Sequence, residues 1–167
     1  MYRVGLISDT HGLLRPEAKA FLQGADYIVH GGDIGSADIL DQLSAIAPVT
    51  AVRGNNDTDA WAESVPEAQV LRVGDVGIYI LHDLARLHID PTLAARVIVS
   101  GHSHKPSARE KDGVLYVNPG SAGRRRFKLP IAIGELAISG AGVSARIMEW
   151  REGKFEVQHQ VRMPCQP

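Results

Sequence analysis

Seven residues of this chain place an imidazole, a carboxylate or a carboxamide at or just past the end of an apolar run: Asp9, His11, Asp33, Asn55, His82, His102 and His104. Two of them lie in Gly101-His102-Ser103-His104-Lys105, which follows the β-branched run Val97-Ile98-Val99. In extended chain, residues two apart point the same way, so His102 and His104 leave a strand aimed at a common point. Imidazole is the commonest side-chain ligand for a transition metal. Taken alone, a His-x-His pair reads equally well as a surface loop, and only further donors decide. Here the further donors are all nitrogen or oxygen, and at least one carboxylate can bridge. That set suits two borderline or hard divalent ions such as manganese, iron or zinc. Solvated loop residues would account for any one of the seven, but not for strand after strand ending in a donor.

For these side chains to meet, the elements that carry them must end side by side. Residues 2–8 read as a strand that stops at Asp9-Thr10-His11-Gly12. A short helix over 16–23 follows, with Pro at its start and Gly24 after its end. Residues 26–30 read as a strand ending in Gly31-Gly32-Asp33, 37–47 as a helix with Ser36 as N-cap, and 48–52 as a strand ending in Arg53-Gly54-Asn55-Asn56-Asp57. Three β-α units in a row with polar strand ends argue for a sheet whose site lies along one edge.

The second half is richer in strands. Residues 70–73 and 76–81 form a hairpin about Gly74-Asp75, ending at His82-Asp83. A short helix is expected over 90–96, with Pro91 at its first position, then the strand before the His-Ser-His loop. Strands follow over 114–117, 131–138 and 143–150, with 155–161 as a further edge. The expected fold class is α/β (α+β), a four-layer α-β-β-α sandwich of two mixed sheets flanked by helices. Residues 1–167 are expected to make a single domain.

Composition narrows the functional classes. Lys plus Arg number 18 against 19 Asp plus Glu, so net charge makes no case for nucleic acid or an anionic membrane as obligatory partner. The single cysteine, Cys165, excludes an intramolecular disulfide and thiolate metal sites, and the expected compartment is the cytoplasm. Asp9 and His11 interrupt the first apolar stretch, so it does not read as a signal peptide, and no run is long enough to span a bilayer.

Five ordered blocks, Asp9-x-His11, Gly32-Asp33, Gly54-Asn55-x-Asp57, His82 and Gly101-His102-x-His104, resemble those of the calcineurin-like metallophosphoesterases. With Asn118-Pro119-Gly120-Ser121 and no cap domain, the chain is similar to the small bacterial and archaeal phosphodiesterase branch. The resemblance implies that Asp9, His11, Asp33 and His104 hold one ion and Asp33, Asn55, His82 and His102 a second, with Asp33 bridging. It implies two divalent ions, manganese first, with iron, zinc, nickel or cobalt as alternatives. It implies hydrolysis of a small phosphodiester by metal-bound hydroxide, with Asp33, Asn55 and Asp57 as the catalytic residues.

The chain departs from the family pattern in two places. Asn56 stands where many phosphomonoesterases of the superfamily have the histidine that assists the leaving group, and an amide cannot do acid catalysis. The block often written His-Gly-His reads His82-Asp83-Leu84, and Asp83 either orients His82 or is solvated. Asp57 either orients Asn55 or is a turn residue. His30 reads as a strand-end histidine held by backbone or as support for the ligands; His88 and His159 read as surface residues. Arg124-Arg125-Arg126 and Lys128 form the one basic cluster, a solvated face or a phosphate contact. The rival functions are a nuclease or cyclic-nucleotide phosphodiesterase of the same superfamily, and a non-catalytic protein-binding scaffold of the same fold. No membrane partner is expected, and a homo-oligomer is left open.

Overall fold

Strand β1 (Tyr2–Ile7) sends Val4 and Leu6 into one hydrophobic cluster and Ile7 into another, the period-two pattern of a strand buried on both faces. The computed structural model describes residues 1–88 and 95–164. After β1 come helix α1 (Pro16–Leu22), β2 (Tyr27–His30), α2 (Ala37–Ser44) and β3 (Val49–Ala51), then β4 (Ala68–Val73), β5 (Val76–Leu81), β6 (Ala95–Val99), β7 (Ser107–Lys111) and β8 (Val114–Asn118), and finally β9 (Ala132–Ser139), β10 (Gly142–Arg151) and β11 (Lys154–Pro164). Single 3₁₀ turns occupy Ala60–Ser64 and Leu84–Arg86.

Two mixed sheets result, in the orders β11-β10-β9-β1-β2-β3 and β4-β5-β6-β8-β7. The larger core cluster joins Val4, Leu6, Leu136 and Ile147 of the first sheet to Ile78, Ile80, Val97 and Val117 of the second, so the sheets pack face to face. The other cluster sets Ala18, Leu22, Ile39 and Leu43 of the two helices against Ile7, Ile28 and Ile133. Both helices therefore cover the outer face of the six-stranded sheet. On that face Glu135, 4 % exposed, accepts from Arg3 Nε at 2.6 Å and pairs with Arg146, tying β1, β9 and β10.

What positions the site is direction. Strands β1, β2 and β3 are parallel, and so are β5, β6 and β8, so in each sheet three C-terminal ends lie side by side. Asp9, Asp33 and Asn55 follow the first trio, while His82 and the His-Ser-His loop follow β5 and β6.

The expected elements are present with several differences. Helix α2 stops at Ser44 rather than at residue 47, with Ala45 as its C-cap. Ala95 and Arg96 belong to strand β6 rather than to a helix; the rest of that expected helix, residues 90–94, lies outside the described residues, as does Cys165. Strand β7 was not expected, because Ser107 to Lys111 has no apolar alternation on its exposed edge. β11 runs well beyond the expected 155–161. No helix among the described residues is long and apolar enough to cross a membrane.

Leu136 has no exposed surface and packs between the sheets. Leu136→Ala should lower unfolding free energy by about 2–5 kcal/mol through the lost transfer energy and the cavity left behind. Urea denaturation should show a lower midpoint with an unchanged slope.

Candidate metal centre

The backbone gathers the donors by an unfavourable conformation. Asp9 (φ 54°), His11 (φ 46°), Asp33 (φ 52°), His102 (φ 67°) and His104 (φ 57°) are all left-handed. Each such L-residue costs about 1–2 kcal/mol, and Asp and His accept it more readily than branched residues do. Five of them at one sheet edge concentrate strain where function is expected.

The side chains form two groups that meet at Asp33. In the first, His11 Nε2 lies 3.4 Å from His104 Nε2 and 3.7 Å from Asp33 Oδ2, and His104 Nε2 lies 3.2 Å from Asp9 Oδ1. In the second, His82 Nε2 lies 3.4 Å from Asp33 Oδ2 and 3.1 Å from Asn55 Oδ1, and that amide oxygen is 3.1 Å from His102 Nδ1. Donor atoms of Asp9, His11 and His104 fall within 4.8 Å of one another, as do those of Asp9, Asp33 and His82. All seven residues singled out from the sequence thus come to one place.

The donor set fits cations. Asp9 Oδ1 is buried without a hydrogen bond, although an imidazole nitrogen stands 3.2 Å away. Carboxylate oxygens and imidazole nitrogens crowd together here, which is costly in a buried site unless positive charge, from a cation or a ring proton, lies between them. Two carboxylates and four histidines with an amide oxygen make a hard-to-borderline set for divalent ions.

A further layer of residues fixes the donors. His82 Nδ1 donates to the Gly31 carbonyl at 2.7 Å, which turns Nε2 to Asp33: with an ion bound Nε2 would offer its lone pair, and without one a second ring proton there hydrogen-bonds the carboxylate. Asp33 accepts from the Asn56 backbone N–H at 2.9 Å and from its amide at 2.7 Å. Among the described residues Asp57 hydrogen-bonds neither Asn55 nor any imidazole. Its two oxygens accept from the N–H groups of Ile34, Gly35 and Gly54 at 3.0, 2.9 and 2.8 Å, which ties the loop after β3 to the loop after β2. Asp83 accepts from Ala85 N at 3.0 Å at the start of a 3₁₀ turn. Close approach of loops is essential as well: a Cβ on Gly54 would strike Asp33, and one on Gly101 would strike Ser8 and Asp9.

Several positioning residues escaped the sequence reading. Ser8 Oγ donates to Asp9 Oδ2 at 2.6 Å, as does the His102 backbone N–H at 3.2 Å, and Ser121 Oγ donates to the Asp9 carbonyl at 3.0 Å. Asn118 Nδ2 donates to the Gly101 carbonyl at 2.7 Å and bonds Ser103 Oγ at 3.1 Å, so the Asn-Pro-Gly-Ser block braces the His-Ser-His loop. Its only sequence signal was a polar, turn-forming block at one more strand end.

The charges follow from these contacts. Burial pushes the Asp33 carboxyl up, but hydrogen bonds from His82 and Asn56 outweigh it and hold Asp33 well below the usual carboxylate range. Burial pushes His82 down, yet Asp33 and the Gly31 carbonyl hold it above its ordinary value. His11 is lowered by burial, which together with Arg126 and His104 outweighs the pull of Asp33 and Asp9. Beside Asn55, His82 and His102 opens a cleft of about 450 Å³, which Arg53, Tyr79 and Arg86 also line.

Comparison with known proteins agrees with the geometry. Residues 2–139 match the family model of the calcineurin-like phosphoesterase superfamily domain. A probable metallophosphoesterase of Methanothermobacter thermautotrophicus is 34 % identical over 159 residues, covering 87 % of this chain and 91 % of that one. A phosphodiesterase of Methanocaldococcus jannaschii is 25 % identical over 137 residues, covering 71 % and 82 %. Among solved structures, Vacuolar Protein Sorting 29 from Cryptosporidium parvum superposes with a TM-score of 0.83 at 25 % identity, covering 98 % of each chain.

His30 offers a measurable consequence of this packing. It has no exposed surface; Gly32 N donates to its Nδ1 at 3.1 Å, and its Nε2 lies 2.9 Å from the Thr10 hydroxyl, which donates to the Ile34 carbonyl at 2.8 Å. Only the neutral ring with hydrogen on Nε2 satisfies that chain, and burial lowers the pKa from 6.5 to about 4. The unfolded chain therefore binds this proton first. The stability held by neutral His30 is complete above pH 6.5 and is lost as pH falls towards 4, by about 3 kcal/mol in total. Urea denaturation in chelator should show that loss, and His30→Gln, less stable at neutral pH, should show a flatter profile.

Proposed function

The chain belongs to the calcineurin-like phosphoesterase superfamily, and from that premise we propose that it is a phosphodiesterase dependent on two divalent ions. The observation that carries this reading is the meeting of two donor groups at one buried carboxylate, Asp33, beside an Asp9 Oδ1 that is buried without a hydrogen bond. By this reading Asp9, His11, Asp33 and His104 hold one ion, and Asp33, Asn55, His82 and His102 hold the other, with manganese the first candidate. When bound, the ions supply positive charge to the phosphoryl oxygens and acidify a water that serves as nucleophile near neutral pH.

The chain's own residues set up the rest. Asp33 stays ionised because Asn56 and His82 hydrogen-bond its anion, and the His82 ring is aimed by the Gly31 carbonyl. Asp57 acts by position, holding together the loops that carry Asp33 and Asn55. Three hydroxyls near the donors donate elsewhere, Ser8 to Asp9, Ser121 to the Asp9 carbonyl and Thr10 to the Ile34 carbonyl, and Ser103 Oγ accepts from Lys105 N and Asn118 Nδ2. This supports direct attack by water at phosphorus rather than a covalent enzyme intermediate. The departing oxygen leaves as an anion or takes its proton from solvent, because Asn56 has none to give and its amide is committed to Asp33. The cleft beside His82 and His102 accommodates one ester arm.

The scaffold reading has one observation in its favour, the likeness to Vacuolar Protein Sorting 29. A binding platform has no need of a complete donor set brought together at the cost of left-handed backbone, and that arrangement favours the enzyme.

Metal content is the direct test. Elemental analysis after saturation with Mn²⁺ should give about two ions per chain, and exhaustive chelation should abolish hydrolysis of bis(p-nitrophenyl) phosphate. Asp33→Asn should lose ions from both positions and at least about 100-fold in turnover; turnover near that of the unmodified chain would refute the shared-carboxylate assignment.

A leaving-group series tests the role of Asn56. General acid assistance is typically worth about 10²- to 10⁴-fold, and good leaving groups need it least. Aryl diesters should be hydrolysed readily, alkyl diesters slowly and alkyl monoesters poorly, with rates falling steeply as leaving-group pKa rises. Asn56→His should flatten that dependence. A flat series in the unmodified chain would assign proton donation to another group.

A further inference from the structure

The strongest feature that this mechanism does not use is the segment from Arg124 to Lys128. It begins at Gly123, which is pressed so closely on the backbone of Asp9 and Thr10 that a Cβ would not fit. The loop therefore departs from the floor of the donor cluster. Arg124, Arg125, Arg126, Phe127 and Lys128 are all exposed, and Phe127 stands 95 % exposed on left-handed backbone (φ 51°). Arg125 Nε donates to the Leu129 carbonyl at 3.1 Å and so closes the turn. From the segment before α1, Arg15 Nε reaches the Gly123 carbonyl at 3.2 Å and brings a further cation to the same place. Arg126 lies close enough to His11 for its charge to oppose protonation of that ring.

Among the described residues none of Arg15, Arg124, Arg125, Arg126 and Lys128 pairs with a carboxylate, and residues 124–128 alone bring four unpaired cations into five positions. Like charges in one short loop repel, and a chain whose net charge is −1 has nonetheless concentrated them beside a site for phosphate esters. Grouped this closely, they present a counter-charge to an anion brought from outside. A bare aromatic ring between Arg126 and Lys128 adds a stacking surface, the combination by which single-stranded nucleic acids are held without sequence preference. On the other side of the donors the cleft beside His82 and His102 is lined by Tyr79 and Arg86, and also by Asp83 and the Arg53–Glu67 pair. One arm of a bound diester would then meet the basic loop, and the other a mixed-charge cleft with one ring.

We propose that the Arg124–Lys128 loop receives the neighbouring phosphate and base of a short single-stranded oligonucleotide, so that the diester hydrolysed at the metal centre is an internucleotide linkage. This rests on the phosphodiesterase reading and names its substrate class. In the reaction, water's oxygen forms the new bond to phosphorus while the bond from phosphorus to one sugar oxygen breaks. That oxygen ends as a hydroxyl, and water's other proton goes to solvent from the terminal phosphate. An anionic lipid surface is the weaker partner: Phe127 is the loop's one apolar side chain between Arg124 and Lys128, and stable membrane attachment takes more buried apolar surface than one ring supplies.

The test is binding of fluorescein-labelled tetrathymidylate with hydrolysis-resistant phosphorothioate linkages, followed by anisotropy with the Mn²⁺-loaded protein across a range of salt. Binding should weaken with salt, and Arg126→Gln should reduce the slope of log K against log salt by about 0.7, the value of one phosphate contact on a single strand. Phe127→Leu should weaken binding by about 5-fold or more, while Phe127→Trp keeps it, because stacking needs a ring and not merely apolar area. Binding that is unchanged in Arg126→Gln and Phe127→Leu overturns the proposal. So does binding to phosphatidylglycerol vesicles that Phe127→Leu preserves, with no binding of the oligonucleotide. Hydrolysis of bis(p-nitrophenyl) phosphate without oligonucleotide binding would sink this inference and leave the phosphodiesterase reading standing. Loop-dependent oligonucleotide binding by a protein that hydrolyses no diester with any divalent ion would sink the phosphodiesterase reading, and the cleavage proposed here with it.

Discussion

A carboxylate that is almost wholly buried must find positive charge or hydrogen-bond donors from every side, and Asp33, at 2 % exposure, is where the two halves of this molecule answer that demand. Its backbone carbonyl accepts from His11 N at 2.9 Å, which joins the loop after β1 to the loop after β2. Its side chain accepts from Asn56 in the loop after β3 and faces His82 from the other sheet. Four strand ends thus share one anion. The same geometry that satisfies the anion fixes the spacing of the donors around it, so the electrostatics of folding and the assembly of the site are one problem.

Around that centre the loops are held by side chains outside the set of seven donors. Asp57 spans two loops with three backbone contacts, His30 closes the turn before Asp33 through its neutral ring, and Asn118 fastens the His-Ser-His loop from a neighbouring strand. These bonds are buried or half-buried, so water competes poorly for them and each holds its loop in one arrangement. A site built on loops needs such bracing, because the strands fix only where the loops begin.

The strand ends were legible in the sequence because β-branched runs that stop at Asp, Asn or His leave a sharp change of polarity, as at Ile7 to Asp9 and Val99 to His102. The fold class followed from how often that change recurred. Strand β7 was not legible, since Ser107 to Lys111 forms an exposed edge whose pairing with β8 depends on tertiary contact and not on alternation. The end of α2 was overextended because Ile46 and Ala47 continue an apolar pattern and pack in the core without being helical. The left-handed conformations of the donors were hidden for a different reason. Asp and His carry no conformational signature as strong as glycine's, and whether such a residue turns left is decided by partners far along the chain. The choice between orienting Asn55 and forming a turn was open for Asp57 on sequence grounds; its contacts are with three backbone N–H groups.

The division between core and site means that the sheets do not depend on what the loops carry. The cluster between the sheets contains none of the seven donors, and its stability derives from Val, Leu and Ile burial that is indifferent to what the loops carry. The donors, in contrast, work against stability: five occupy left-handed backbone, at about 1–2 kcal/mol each. Against a typical net stability of about 5–15 kcal/mol for a whole domain, that burden is large. Ions that bind the folded chain and not the unfolded one return part of it by mass action. A lineage that gave up catalysis could replace these residues and gain stability without disturbing the sheets. That this chain keeps all seven together, five of them on left-handed backbone, is the physical argument for chemistry at the site.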